Sequence, residues 1–241
     1  MILDIFKDSF AYAAQDIKAL LKLGLCSFLN FLIIPGFLIM GYEYRVIKTA
    51  INGMIDGDDK LPKFNNLISM FVDGVKYFIV QFVYLIIPII IGFAISYLGE
   101  ISNNSYLSGF GMAVTIILLV ISIFYSFLAI PNMISNDESI KEGFNIKRLN
   151  EVIRNIGIKS YVGFYIAVLI INLVIYLVIS GILMVFAYLF GITTFLVFQP
   201  ISSTVFYIFI ILFNLVMVFL VTPYVYIFTG RAQGLIYGIG E

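Results

Sequence analysis

Few side chains in this sequence could do chemistry, and most of them lie between its apolar stretches. Asp56-Gly57-Asp58-Asp59 gathers three carboxylates around a glycine, a grouping that attracts cations. It lacks the alternating ligands and terminal Glu of a helix–loop–helix calcium site, and Lys60 and Lys63 would compete with a metal. The segment reads as a solvated turn. Asp73-Gly74 matches the opening of lipid-headgroup transferase motifs, but the further aspartates those enzymes use for magnesium do not follow. Asp56, Asp58, Asp59 and Asp73 are therefore the acidic candidates for a membrane enzyme, and they form no motif.

Histidine is absent and Cys26 is the lone cysteine. That excludes His-ligated haem, Cys- or His-based zinc, iron–sulfur clusters, His-dependent general-base catalysis and any intrachain disulfide. Lys plus Arg and Asp plus Glu balance at 14 each, so no polyanionic partner such as nucleic acid is implied. Ionisable groups inside membrane spans mark proton relays and ion coupling. Here the span cores hold only neutral polar residues: Asn30, Gln81, Ser122, Ser126, Asn172, Ser180 and Asn214. Interhelical hydrogen bonding accounts for them, and a polar path built from Gln81, Asn172 and Asn214 is the functional alternative. Proton- or sodium-coupled transport is disfavoured, and no cofactor is expected.

The elements that would position these residues belong to a membrane protein. Hydrophobic residues make up 62% of the chain and charged residues 12%, too few to cover a soluble surface. No charge occurs from Ser160 to Gly230, and Glu100 is alone between Tyr77 and Asn136. About 20 apolar residues cross ~30 Å of hydrocarbon. The pattern predicts an all-α, polytopic transmembrane helix bundle of about five spans, at 23–42, 77–98, 108–131, 161–187 and 203–229. These lie in a single integral membrane domain, 1–241. The segment 99–108 reads as a turn, and Gly191 and Pro200 break the helical pattern between the last two spans.

Interfacial amphipathic helices are expected between the spans. Apolar residues recur with helical period in Leu3–Leu20, Val46–Ile55, Phe64–Val75 and Ile146–Ile156. Packing of these faces on each other or on the span ends is the equal alternative. A parallel internal repeat is suggested by units 64–131 and 144–223, each an amphipathic helix and two spans, closing on Phe127–Pro131 (FLAIP) and Phe219–Pro223 (FLVTP). Phe31–Pro35 (FLIIP) reads as a third copy.

Lys and Arg concentrate in 42–76 and 132–159, and Arg231 follows the last span; the loops at 99–107 and 188–202 carry none. The positive-inside rule makes the basic segments and the C-terminal segment cytoplasmic. Asn103-Asn104-Ser105, the single N-x-[ST] triplet, falls on the outer side. Span one conflicts with this, because five crossings place Lys7, Lys18 and Lys22 outside. A true crossing is preferred for its length; a re-entrant dip at Pro35-Gly36 would keep both flanks inside.

Gly41–Lys48 (GYEYRVIK), Leu61–Phe64 (LPKF), Phe71–Val80 (FVDGVKYFIV) and Tyr84–Pro88 (YLIIP) resemble the membrane proteins grouped as domain of unknown function 4013. The resemblance covers about the first hundred residues, with the rest agreeing in layout. It implies a multi-span membrane protein, often archaeal, with no established activity and no catalytic residues to carry over.

The resulting expectation is a non-enzymatic scaffold of the plasma membrane. It would meet membrane lipids and a cytoplasmic or membrane protein partner through Lys63, Lys76, Lys147, Arg148 and Arg154, with homo-oligomerisation open. The alternative is an uncoupled small-solute or lipid transporter or channel.

Overall fold

The computed structural model describes the backbone of residues 1–197 and 202–241, and the side chains of 1–189 and 207–241. The described residues form α1 (Ile2–Ala13), α2 (Ile17–Phe28), α3 (Ile34–Ile51), α4 (Leu67–Ile101), α5 (Ser105–Ser135), α6 (Ile146–Ile156), α7 (Ile158–Val197), α8 (Ser202–Val216) and α9 (Thr222–Gly240). A π-helical turn, Met217–Val221, makes α8 and α9 one continuous rod.

Four helices are long and apolar enough to cross a membrane: Leu67–Ile101, Ser105–Ser135, Ile158–Leu189 and Tyr207–Gly240. Their mean hydropathies run from 2.5 to 2.8. The chain is therefore an all-helical, membrane-embedded protein. At 1.5 Å per residue, the 35 residues of α4 extend roughly 50 Å. That exceeds the hydrocarbon thickness, so the ends of the spans project from it.

α4 and α5 form a hairpin. Asn103 takes a left-handed conformation (φ 52°), and the Asn104 side chain accepts the Leu107 amide at 3.2 Å to start α5. Gly92 packs against Thr115 and Gly111, and Gly99 against Ser108, so small residues let the two backbones approach. α7 differs, since only 6% of its most apolar stretch is buried against the rest of the chain.

The packed core lies at one end of the spans. There α1, α3, α6, α9 and the near ends of α4, α5 and α7 bury Tyr12, Tyr42, Val46, Met70, Leu128, Leu149, Val152, Tyr161, Phe228 and Ile236. This head closes along α9. Gly230, Gly234 and Gly238 lie against α3, where a Cβ at Gly234 would collide with Ala50 and the Ile47 carbonyl. The three glycines on one helix face thus serve close helix packing.

Several boundaries depart from those expected. Residues 23–42 are not one helix. α2 ends at Phe28, a 3₁₀ turn covers Asn30–Leu32, Ile33 adopts φ 65°, and α3 starts with Pro35 in its first turn. Such a conformation in a β-branched residue costs about 1–3 kcal/mol, and it falls where the 3₁₀ turn gives way to α3. The N-terminal stripe splits at Ala14–Asp16, where Asp16 caps α2 through the Lys18 amide. Val46–Ile51 belongs to α3, which ends before Met54 and Ile55. The stripe at 64–76 is the base of α4 from Leu67 onward and not a separate interfacial helix. α6 matches its expected span, and its stripe Leu149, Val152, Ile153 and Ile156 is buried on the span ends. Gly191 sits within α7 and breaks nothing. Pro200 lies outside the described residues.

Four crossing helices stand close to the five expected, and the difference is residues 23–42. Asp8 bonds to Arg231 and to the Asp56 amide, and the Tyr12 hydroxyl donates to the Lys60 carbonyl. α1, the 52–66 segment and α9 therefore share one end of the molecule. The α2–α3 hairpin leaves that end and returns to it.

Candidate functional site

The head's charged groups divide into those spent on holding it together and those left facing outward. Arg231 is the most deeply placed. Its side chain is fully buried, with Nε donating to Asp8 Oδ2 at 2.7 Å, Nη1 to Asp59 Oδ2 at 2.9 Å and Nη2 to the Met54 carbonyl at 3.1 Å. The guanidinium also sits 4.5 Å from the Tyr12 ring centroid. Burial, the largest influence on it, lifts the Tyr12 hydroxyl to about 12. This clamp fastens α1 and the 52–66 segment to α9. Asp59, read from sequence as part of a solvated turn, is thus a structural counter-ion. Among the described residues no three His, Cys, Asp or Glu side chains gather as metal ligands.

A second tie joins three segments at Glu138. Lys48 Nζ donates to one carboxylate oxygen at 2.7 Å and Lys76 Nζ to the other at 2.8 Å. The Lys48 and Lys76 hydrogen bonds bring the Glu138 carboxyl down to about 2. A third is Arg45, whose Nε lies 3.3 Å from Asp73 while its terminal nitrogens donate to the Asn65 and Asn66 carbonyls. Asp73 is therefore an ion-pair partner, and Gly74 beside it is where α4 crosses α3 against the Phe37 carbonyl. Glu43, buried in α3, has no cation opposite it among the described residues. Burial pushes its carboxyl up to about 8, opposed by the hydrogen bond from Tyr77.

The five expected contact residues separate on this basis. Lys76 is committed to Glu138, and Arg148 lies 3.4 Å from Glu151 and 4.0 Å from Glu241. Lys63, Lys147 and Arg154 are exposed and make no ion pair within the described residues. Lys147 and Arg154 share the outer face of α6, whose inner face is buried. The sequence marked these three as exposed and offered no sign of the partners that Arg231, Glu138 and Glu43 meet in the fold. The polar span residues are dispersed. Gln81 donates to the Ser126 carbonyl across α4–α5, Asn172 pairs with Thr229 across α7–α9, and Asn214 bonds within its own helix.

Four apolar crossing helices and an interlocked head with an outward basic face define a polytopic helical membrane protein. The family model for the protein of unknown function DUF4013 matches residues 26–185. The chain belongs to that family. Comparison with curated proteins gives no match, and comparison with solved structures gives none either.

Proposed function

We propose that this protein is a non-enzymatic scaffold of the plasma membrane, with the head on the cytoplasmic side and the outer face of α6 engaging an acidic protein partner or anionic lipid. One observation carries the reading. α6 turns its apolar stripe into the head and leaves Lys147 and Arg154 outward, in no ion pair among the described residues, while Glu151 on the same face lies against Arg148. A helix that bound membrane by its apolar face would leave that stripe free. The Lys and Arg bias of the head end supports the cytoplasmic orientation.

Each basic residue near an anionic leaflet contributes about 1 kcal/mol, screened beyond a Debye length of roughly 8 Å. Since Arg148 is already paired, Lys147→Ala/Arg154→Ala should weaken association by about 2 kcal/mol, or roughly 30-fold, at low salt. Co-purification of lipids and proteins with wild type and variant at two salt concentrations tests this. Unchanged association at low salt would leave these residues as topology signals.

That result would favour a second reading, lipid transport without ion coupling. A lateral fissure of about 560 Å³ supports it, lined by Phe10, Leu20, Val174, Val178, Leu220 and Tyr224 between α1, α2, α7 and the α8–α9 rod. Protein-dependent lipid exchange between vesicle leaflets is its test.

A further inference from the structure

We propose that the α2–α3 hairpin is a re-entrant foot, its tip seated in the leaflet beside the head, and that Lys22 and Lys63 above the tip hold the headgroup of an anionic phospholipid. The tip is apolar and uncovered. Phe31 is 75% exposed and Ile33 69%, with Phe28, Leu32 and Ile34 exposed beside them. Its flanks are fixed against the spans. The Phe37 ring lies 5.2 and 5.4 Å from those of Phe71 and Phe78, the Phe28 ring lies tilted 5.9 Å from that of Phe219, and Gly24 rests on the Phe219 backbone. Phe78 and Phe219 belong to the charge-free runs of α4 and of the α8–α9 rod. The tip is thus level with surface that faces hydrocarbon.

Irregular backbone in lipid must satisfy its own hydrogen bonds, and three amides of the hairpin turn do so. The Leu32 amide donates to Leu29 O at 2.9 Å, Ile33 to Asn30 O at 3.0 Å and Phe37 to Ile33 O at 3.3 Å. Pro35 has no amide hydrogen to satisfy.

Above the tip, α2 exposes Leu21, Leu25 and Phe28 in one stripe, at i, i+4 and i+7. Lys22 lies beside this stripe, one residue past Leu21 and three before Leu25, and its Nζ is 5.9 Å from the Phe64 ring centroid. Lys22 and Lys63 border a cleft of about 340 Å³ with Asp16, Pro62, Phe64 and Asn65. Neither lysine has an ion-pair partner among the described residues, whereas nearby Arg45 and Lys48 are spent on Asp73 and Glu138. The Asp16 carboxylate accepts the Lys18 amide at 2.8 Å and so is held at the helix start. Two ammonium groups bordering one cleft beside an apolar stripe that runs into the membrane match a phospholipid, phosphate at the lysines and acyl chain along Leu21, Leu25 and Phe28.

The chain contains no Trp, so Phe31→Trp gives a single tryptophan at the tip, excited at wavelengths the 16 Tyr do not absorb. In phosphatidylcholine/phosphatidylglycerol vesicles its emission should be quenched by lipids brominated in the acyl chain and shielded from aqueous iodide. Quenching by iodide and not by brominated lipid overturns the foot. For the headgroup, phosphatidylglycerol retained after dilution in detergent is measured by mass spectrometry. Lys22→Gln/Lys63→Gln should retain at least tenfold less than wild type, while Lys7→Gln/Lys141→Gln, with the same charge change elsewhere, should match wild type. Full retention by the Lys22/Lys63 variant, or equal loss in both variants, overturns the headgroup site.

Discussion

Arg231 Nε meets Asp8 Oδ2 at 2.7 Å, joining side chains 223 positions apart and closing the two ends of the described chain on each other. Removing one partner of a buried ion pair leaves an uncompensated charge and costs about 3–5 kcal/mol. Arg231→Met should lower thermal stability in detergent accordingly and speed proteolysis within Ile2–Ala13. Arg231→Lys should rescue little, because one ammonium cannot reproduce three directed bonds and the approach to Tyr12. Unchanged melting and proteolysis in Arg231→Met would show that the clamp contributes nothing.

The second prediction concerns Glu43. Burial raises its carboxyl from the ordinary 4.5 to about 8, so between those values the folded state keeps a proton that the unfolded chain has released. The unfolded state binds fewer protons, and stability falls as pH rises through this window, by about 1.4 kcal/mol per unit. The contribution is intact below about 4.5 and lost above about 8. Glu43→Gln should abolish that slope and be more stable than wild type at pH 8. Parallel pH–stability curves for the two proteins would contradict the burial of a carboxyl with no cation opposite it.

How much of this was legible in the sequence follows from the range of each interaction. Charge-free runs and helical periodicity located the four crossing helices and α6, because burial against lipid or core acts on every residue of an element. The break in 23–42 was legible only as an alternative to a crossing, since Leu23–Tyr42 has the length and composition of a span whether it crosses or turns back. Pro35 was the available signal, as it suits the first turn of a helix better than its middle. Lys63, Lys147 and Arg154 were readable as exposed from their own helical or loop context. Arg231 looked like an ordinary flanking charge, because Asp8 and Asp59 are brought to it only by tertiary folding.

Close helix approach gives the third prediction. A Cβ at Gly41 would overlap the Met70 carbonyl and one at Gly74 the Phe37 carbonyl, both backbone atoms that cannot move aside. Gly41→Ala and Gly74→Ala should each destabilise by about 1–3 kcal/mol through separation of α3 from α4. Gly109 and Gly163 face open space, so Ala there should be neutral or stabilising by about 0.5–1 kcal/mol. Equal melting temperatures for all four variants would contradict the α3–α4 crossing.

Sidedness underlies the scaffold and foot proposals together, and labelling of single cysteines in whole cells measures it. In a Cys26→Ser background, cysteines replacing Gln15, Asn52, Lys141 and Asn104 are exposed to a membrane-impermeant maleimide. Asn104 should label in intact cells, and Gln15, Asn52 and Lys141 only after permeabilisation. Labelling of Gln15 but not Asn52 from outside would make residues 23–42 a crossing, and protection of Asn104 would reverse the orientation.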